Sequence, residues 1–463
     1  MTVMGLGNIA TSPDQPKIIA YFEPTQDGLQ FDDLDASTLT HLIYAFATID
    51  LEGTISWIGP GKSGTAFEFW AESRRMAKYE RYCGCEGDCL KGYLNQLWKL
   101  KRENPHLRTI MSVGGYAWSA NFSAVMKDPI KRNNAVVTGT KMMLDYGFDG
   151  IDIDWEFPAD FDRSKAETEF TSDPNDWLNF AQLMTDYRAY WKAQSLPDDL
   201  LLTIAGPGFM DESRGLKASL YSLSKTLSFV LVMAYEYQHS PEIVRLGAQL
   251  YMRPGDTGAE NSTNVEKIMS DLSMFFDKKQ LIAGIPVYAS GFQGFKKGTG
   301  NRDMPCLGDD ARTAEEAPKI SYKEAMIQAS THYKGYTVSL SRGQAVICDN
   351  RTQYSFDSPE TVVQKAKFVK DKGYGGVMFW DLSQDISPKK NPEYSLAVAA
   401  KNAFGFNSKV SSNRTFNDLC IDQSKFCNLR CSYTPEIANA YIEKNSGNRF
   451  GYSILILILV FFQ

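Results

Sequence analysis

Eight short apolar runs recur along this chain, and most are followed by a stretch with helical spacing. In order they are Lys17–Phe22, His41–Ala47, Arg108–Gly114, Phe148–Glu156, Leu200–Gly206, Phe229–Tyr235, Leu281–Tyr288 and Gly375–Asp381. Each is rich in Val, Ile, Leu and aromatic residues, the composition of strands covered on both faces in a parallel sheet. Leu90–Glu103, Asp176–Ala193 and Pro359–Lys372 carry apolar residues three or four apart, so they read as amphipathic helices packed on that sheet. Eight alternating strand–helix units predict an α/β fold, a closed (β/α)8 TIM barrel spanning residues 17–406. The 463-residue length accommodates one such barrel with additions. One addition is expected between the seventh and eighth strands, an α+β insert over 291–354 with a helix near Tyr322–His332 and strands near Gly335–Leu340 and Gln344–Cys348. The long connection Asp50–Cys89 is of the kind that carries function. Residues 407–463 read as a cysteine-containing tail with a hydrophobic end.

Charge and cysteines narrow the function. A net charge of −6 disfavours a polyanionic partner, and no nucleic-acid binding is expected. Cys83, Cys85 and Cys89 cluster, as do Cys420, Cys427 and Cys431, with Cys306 and Cys348 apart. Neither cluster has the paired spacing of a zinc site, so no metal or other cofactor is expected and disulfides in an oxidising compartment are. The first residues have no charged segment followed by an apolar one, as a secretory leader would. Yet Asn445–Gly447, a short polar spacer and the apolar Ile454–Phe462 resemble a GPI-attachment signal, which would place the protein outside the cell or on its surface. A buried or frayed C-terminal segment fits the same residues.

The run FDGIDIDWEFP concentrates the chemistry. Side chains alternate along a strand, so Asp152, Asp154 and Glu156 share one face while Ile151, Ile153, Trp155 and Phe157 share the other. In a barrel the acidic face points inward near the carboxyl end of the strand, where barrel active sites sit. Crowded, poorly solvated carboxylates cannot all ionise cheaply, so at least one proton is retained near neutral pH. A carboxyl group with a raised pKa is what general acid catalysis requires.

These residues resemble the D-x-x-D-x-D-x-E signature of family 18 glycoside hydrolases, the chitinases. Ser112–Gly115 (SVGG), Met233–Tyr235 (MAY), Gly284–Phe292 (GIPVYASGF) and Gly375–Trp380 (GGVMFW) are similar to further motifs of that family, in family order. The insert resembles the chitinase insertion domain. The resemblance implies hydrolysis of the β-1,4 linkages of chitin with retained anomeric configuration. Glu156 would be the general acid, and the substrate's own acetamido oxygen the nucleophile. Asp154 would hold the acetamido N–H and share a proton with Asp152, and Tyr235 would hold the acetamido carbonyl. Trp380 would floor the reacting subsite, with Tyr21, Phe22, Tyr116, Met233, Glu236 and Tyr288 as further substrate contacts. Chitin or its oligosaccharides would be the partner of a monomer, with no protein partner implied.

Three departures stand out. Glu236 replaces the family's Asp, Ser290 its Arg, and Tyr116 its Trp. Without that Arg, Glu236 is expected to lack a cationic partner and to keep its proton, giving an acidic pH optimum. The serine and glycines of SVGG are expected to serve barrel packing. Two other readings fit parts of the pattern: a sugar-binding lectin on the same barrel, and a hydrolase holding Mg²⁺ or Mn²⁺ on Asp152, Asp154 and Glu156.

Overall fold

The computed structural model describes residues 15–24, 28–57, 92–167, 169–210, 215–237, 246–252, 264–293, 315–349 and 352–406. The tail from 407, most of the Asp50–Cys89 connection and every cysteine except Cys348 lie outside them. Eight parallel strands form the closed barrel. They are β1 (Lys17–Phe22), β2 (His41–Ile49), β4 (Arg108–Gly114), β5 (Gly150–Asp154), β6 (Leu201–Gly206), β7 (Phe229–Val232), β8 (Leu281–Pro286) and β14 (Gly376–Trp380). Closure is explicit in the register: Ile19 of β1 pairs with Met378 on one side and with His41 on the other. A short antiparallel β3 (Ile55–Trp57) extends β2.

The helices over the barrel are α1 (Gly92–Glu103), α2 (Phe122–Met126), α3 (Pro129–Asp145), α4 (Phe161–Ala166), α5 (Asp176–Ala193), α6 (Leu216–Thr226) and α7 (Val265–Leu272). After the insert come α9 (Pro359–Lys372) and α10 (Leu396–Phe404). Local chemistry explains α9 well. Pro359 opens the helix, where a missing N–H costs nothing, and Gly373 closes it at φ 79°.

Strand alternation sorts the core into two layers. Ile151 and Ile153 of β5 and Trp155 just past its end face the helices, where Trp155 stacks on Phe122 at 5.4 Å and packs against Phe180 at 5.5 Å. Inside the barrel, Ile19, Ile43, Ile110, Phe229, Leu231, Ile282 and Met378 form an apolar plug. The strand β5 ends at Asp154, two residues before the expected end, so Glu156 stands on the connection beyond it and Phe157 is not part of the helix-facing layer.

Between β8 and β14 the chain forms a second sheet. Its strands are β9 (Tyr288–Gln293), β10 (Glu315–Ser321), β11 (Thr337–Ser339), β12 (Gln344–Cys348) and β13 (Thr352–Phe356), antiparallel in the order β10-β9-β13-β12-β11. Helix α8 (Tyr322–Thr331) follows β10 and is capped by the Ser321 hydroxyl. The sheet starts at Tyr288 rather than Gly291. Only Val287 separates β8 from β9, so the apolar run reads continuously through the change of sheet. The Val287 amide donates to the Trp380 carbonyl at 2.8 Å, which ties the junction to the end of β14.

The return from the insert is fastened by a buried ion pair. Lys365 of α9 meets Asp357 at 2.7 Å with both side chains almost wholly enclosed. Thr361 (2.9 Å) and Gln344 (3.2 Å) also donate to Asp357. Deleting one member of such a pair strands the other in a dry site. Lys365→Met should therefore destabilise the protein by about 3–5 kcal/mol, seen as a lower urea midpoint. An unchanged midpoint would mean that Thr361 and Gln344 suffice to hold Asp357.

Candidate active site

The site lies at the carboxyl end of the barrel, where β5 delivers its acids. Asp152 is fully buried, level in register with Ser112 of β4 and Thr203 of β6. Three hydroxyls donate to it: Ser112 at 2.7 Å, Thr203 at 2.7 Å and Tyr21 at 2.8 Å. Burial raises the Asp152 pKa, and those three hydrogen bonds oppose the rise. Asp154, one pleat further out, is only 4% exposed, and its Oδ1 has no hydrogen-bond partner in the protein. Burial first, then the neighbouring Glu156 and Asp152, hold its pKa well above the ordinary carboxyl value. A proton is therefore shared within the Asp152–Asp154–Glu156 group at neutral pH.

Glu156 sits at the rim of the site and is anchored through its backbone. Its amide donates to Ser119 Oγ at 2.9 Å, and Arg163 Nη1 of α4 donates to its carbonyl at 2.9 Å. The Gly115 amide donates to the Asp154 carbonyl at 2.7 Å, joining the ends of β4 and β5. Only glycine fits at Gly114: φ is 114° and a Cβ would lie 2.1 Å from the Asp154 carbonyl oxygen. Burial and the nearby Glu236 raise Glu156 to about 7, against the opposing pull of Arg163, the Tyr116 amide and Lys319.

Aromatic residues frame the acids. Trp380 packs edge-on to Tyr21 at 5.2 Å and lies 5.6 Å from Phe46. Tyr235 follows β7, with its ring seated over Gly284 of β8, where a Cβ would come within 2.8 Å of the ring. Burial and the adjacent acids raise the Tyr235 pKa, so it is a neutral donor throughout the useful pH range. Such an arrangement offers a proton at Glu156, a polarising pair at Asp154 and Tyr235, and an apolar floor at Trp380. It suits protonation of a leaving oxygen beside a neutral polar nucleophile.

The sequence model described as "Glycosyl hydrolases family 18" matches residues 17–385. The chain belongs to that family. It is 28% identical over 406 residues to Endochitinase 1 of Metarhizium robertsii, covering 86% of this chain and 85% of that one. Among solved structures it resembles the catalytic domain of chitinase B from Arthrobacter TAD20, with a TM-score of 0.69, 23% identity and coverage of 88% and 99% of the two chains. It also resembles the Group IV chitinase of Ostrinia furnacalis in complex with allosamidin, at TM-score 0.65, 22% identity and coverage of 84% and 97%. At those identities the structural likeness speaks to the fold.

In this family 18 hydrolase, Asp152, Asp154, Glu156, Tyr21, Tyr235 and Trp380 come together as expected. Tyr116 is 57% exposed beyond Glu156, with the Arg163 guanidinium over its ring at 3.8 Å. Met233 is half-buried just past β7. Phe22 is a correction: it lies on the opposite face of β1 from Tyr21, wholly buried against Phe31 at 4.6 Å, because neighbouring strand residues point to opposite sides. A second correction concerns Glu236, which does have a cation. Lys319 of β10 forms an ion pair with its Oε1, and the Tyr288 hydroxyl donates to the same oxygen at 2.8 Å. A third concerns Ser112, which is a ligand of Asp152 as well as a packing residue.

The residues missed outright were Thr203, Ser119, Arg163 and Lys319. Thr203 was within reach, because its alternation on β6 turns it inward beside Asp152. Ser119 lies on a connection, Arg163 on the short helix α4 and Lys319 on the insert, where periodicity gives no direction.

Proposed function

We infer that the protein is a chitinase that cleaves β-1,4 bonds between N-acetylglucosamine units with retention, using the substrate's acetamido group as nucleophile. The observation that carries this is Asp154, a buried acid with an unpartnered oxygen beside Glu156, whose own pKa is raised to about 7. Glu156 donates its proton to the glycosidic oxygen as the C1–O bond breaks. The acetamido oxygen bonds to C1 and gives an oxazolinium ion. Asp154 accepts the acetamido N–H, and the Tyr235 hydroxyl positions the carbonyl. Glu156, now ionised, takes a proton from water as that water attacks C1 and the C1–O bond of the oxazolinium ring breaks, which regenerates the acetamido group, restores the acid and gives net retention. The charge of Asp152 helps to keep the Asp154 pKa raised, and Trp380 lies under the reacting sugar.

A metal-based alternative requires convergent ligands. Among the described residues no group of three or more His, Cys, Asp or Glu is placed to hold an ion. Both oxygens of Asp152 already accept hydroxyl protons. A secreted setting is the one in which the eight cysteines of the chain would pair. Among the described residues no helix is long and apolar enough to cross a membrane.

Incubation with a defined N-acetylglucosamine oligomer, with products resolved by chain length and anomer, tests the assignment. Short oligomers in the β-anomer are expected, and binding with no cleavage would support a lectin instead. The pH profile adds a second prediction. Glu156 must be protonated to act, and its pKa lies near 7. Activity as kcat/KM should be retained below that pH and fall up to tenfold per unit above it. A profile still rising at about pH 9 would assign the acid to another group.

A further inference from the structure

The second sheet contributes charge to the barrel site. Lys319 comes from β10, a strand of the insert, and its ammonium group pairs with Glu236 on the connection after β7. The same ammonium lies 5.3 Å from the centre of the Tyr288 ring, and Tyr288 belongs to β9 of the same sheet. Glu236 is thus gripped from the insert by a cation and a phenol. Its backbone adopts φ 62°, a conformation that a side chain larger than glycine rarely takes without compensating contacts.

We propose that Lys319 tunes the general acid by charge: with Glu236 held in place by Tyr288, the Lys319 ammonium offsets the Glu236 carboxylate and so sets the pH range over which Glu156 can donate. This rests on the chitinase reading above. Glu156 is faced by Asp154 on β5, the Tyr116 amide after β4, Arg163 on α4, Tyr235 and Glu236 after β7, Tyr288 on β9 and Lys319 on β10. Of these, the Glu236 carboxylate favours the protonated acid, and Lys319 favours its ionised form. The two halves of one ion pair therefore act on Glu156 in opposite senses. The acid's working range is set by a contact between the insert and the connection after β7, as well as by the burial of Glu156.

The test compares wild type, Lys319→Met, Lys319→Arg and Glu236→Gln as full-length protein, with kcat/KM on a fluorogenic chitooligosaccharide measured across pH. The readout is the ratio of activity at about one unit above neutrality to that at about one unit below. Lys319→Met should raise this ratio by roughly two- to threefold, the scale of a half-exposed, solvent-screened pair, and Glu236→Gln should lower it by a similar factor. Lys319→Arg should leave it near wild type, because the charge is kept. A purely structural role would move all impaired variants the same way. Ratios that stay equal, or that shift in one direction for both partners, overturn the proposal. Lys319 is half-exposed, so its loss should not prevent folding, and a thermal melt checks this. If Lys319→Met still proves unstable, Lys319→Gln is to be read in its place, by the same criterion. Wild type without chitinolytic turnover would defeat the functional reading instead, a distinct outcome.

Discussion

Glu156→Gln should lower turnover of chitooligosaccharides by two or more orders of magnitude while leaving oligosaccharide binding in place. Glutamine keeps the shape of the side chain but has no proton to donate, and general acid catalysis contributes on the ~10²–10⁴ scale. The anchoring of residue 156 is a backbone matter, through Ser119 and Arg163, so the substitution leaves the surrounding structure its supports. The check pairs single-turnover kinetics with calorimetric binding of the same oligomer. Near-normal turnover in the glutamine variant would remove Glu156 from the mechanism.

The second large effect lies on the substrate. An oligomer carrying a free amine in place of the acetamido group, on the sugar at the non-reducing side of the bond, should not be cut there at all. Among the described residues the buried acids are poorly placed to replace that nucleophile: Asp152 is enclosed by Tyr21, Ser112 and Thr203, and burial together with its acidic neighbours disfavours the charged form of Asp154. Cellulose, which has no acetamido groups, should be inert for the same reason. Mass spectrometry of products from partly deacetylated chitin reads the sugar at each new end. Glucosamine at the freshly cut reducing ends would contradict substrate assistance.

The barrel was legible because its strands and helices obey simple periods. Asp176–Ala193 and Pro359–Lys372 form helices over the residues that their spacing marks, and the eight apolar runs all became barrel strands. The acidic face of β5 followed from alternation alone. Alternation also shows why Phe22 was misplaced: resemblance suggested an aromatic at the site, yet the residue next to an inward Tyr21 must point outward. Lys319 was illegible for a different reason. It reaches Glu236 from 83 positions away through an antiparallel sheet whose pairing no local pattern announces. Arg163 was hidden likewise, because a cation on a six-residue helix reads as a solvated surface charge until its stacking on Tyr116 and Phe170 is seen.

The three hydroxyls on Asp152 come from three different strands, β1, β4 and β6. In the proposed mechanism that carboxylate is part of the reaction centre, and its contacts also make it a rivet across the interior. Anyone wishing to convert the protein into an inert reagent for staining chitin should therefore leave residue 152 alone. A change there would blur loss of chemistry with loss of the scaffold. The rim position, 156, is where the proposed catalysis can be silenced while the rest of the site is left assembled.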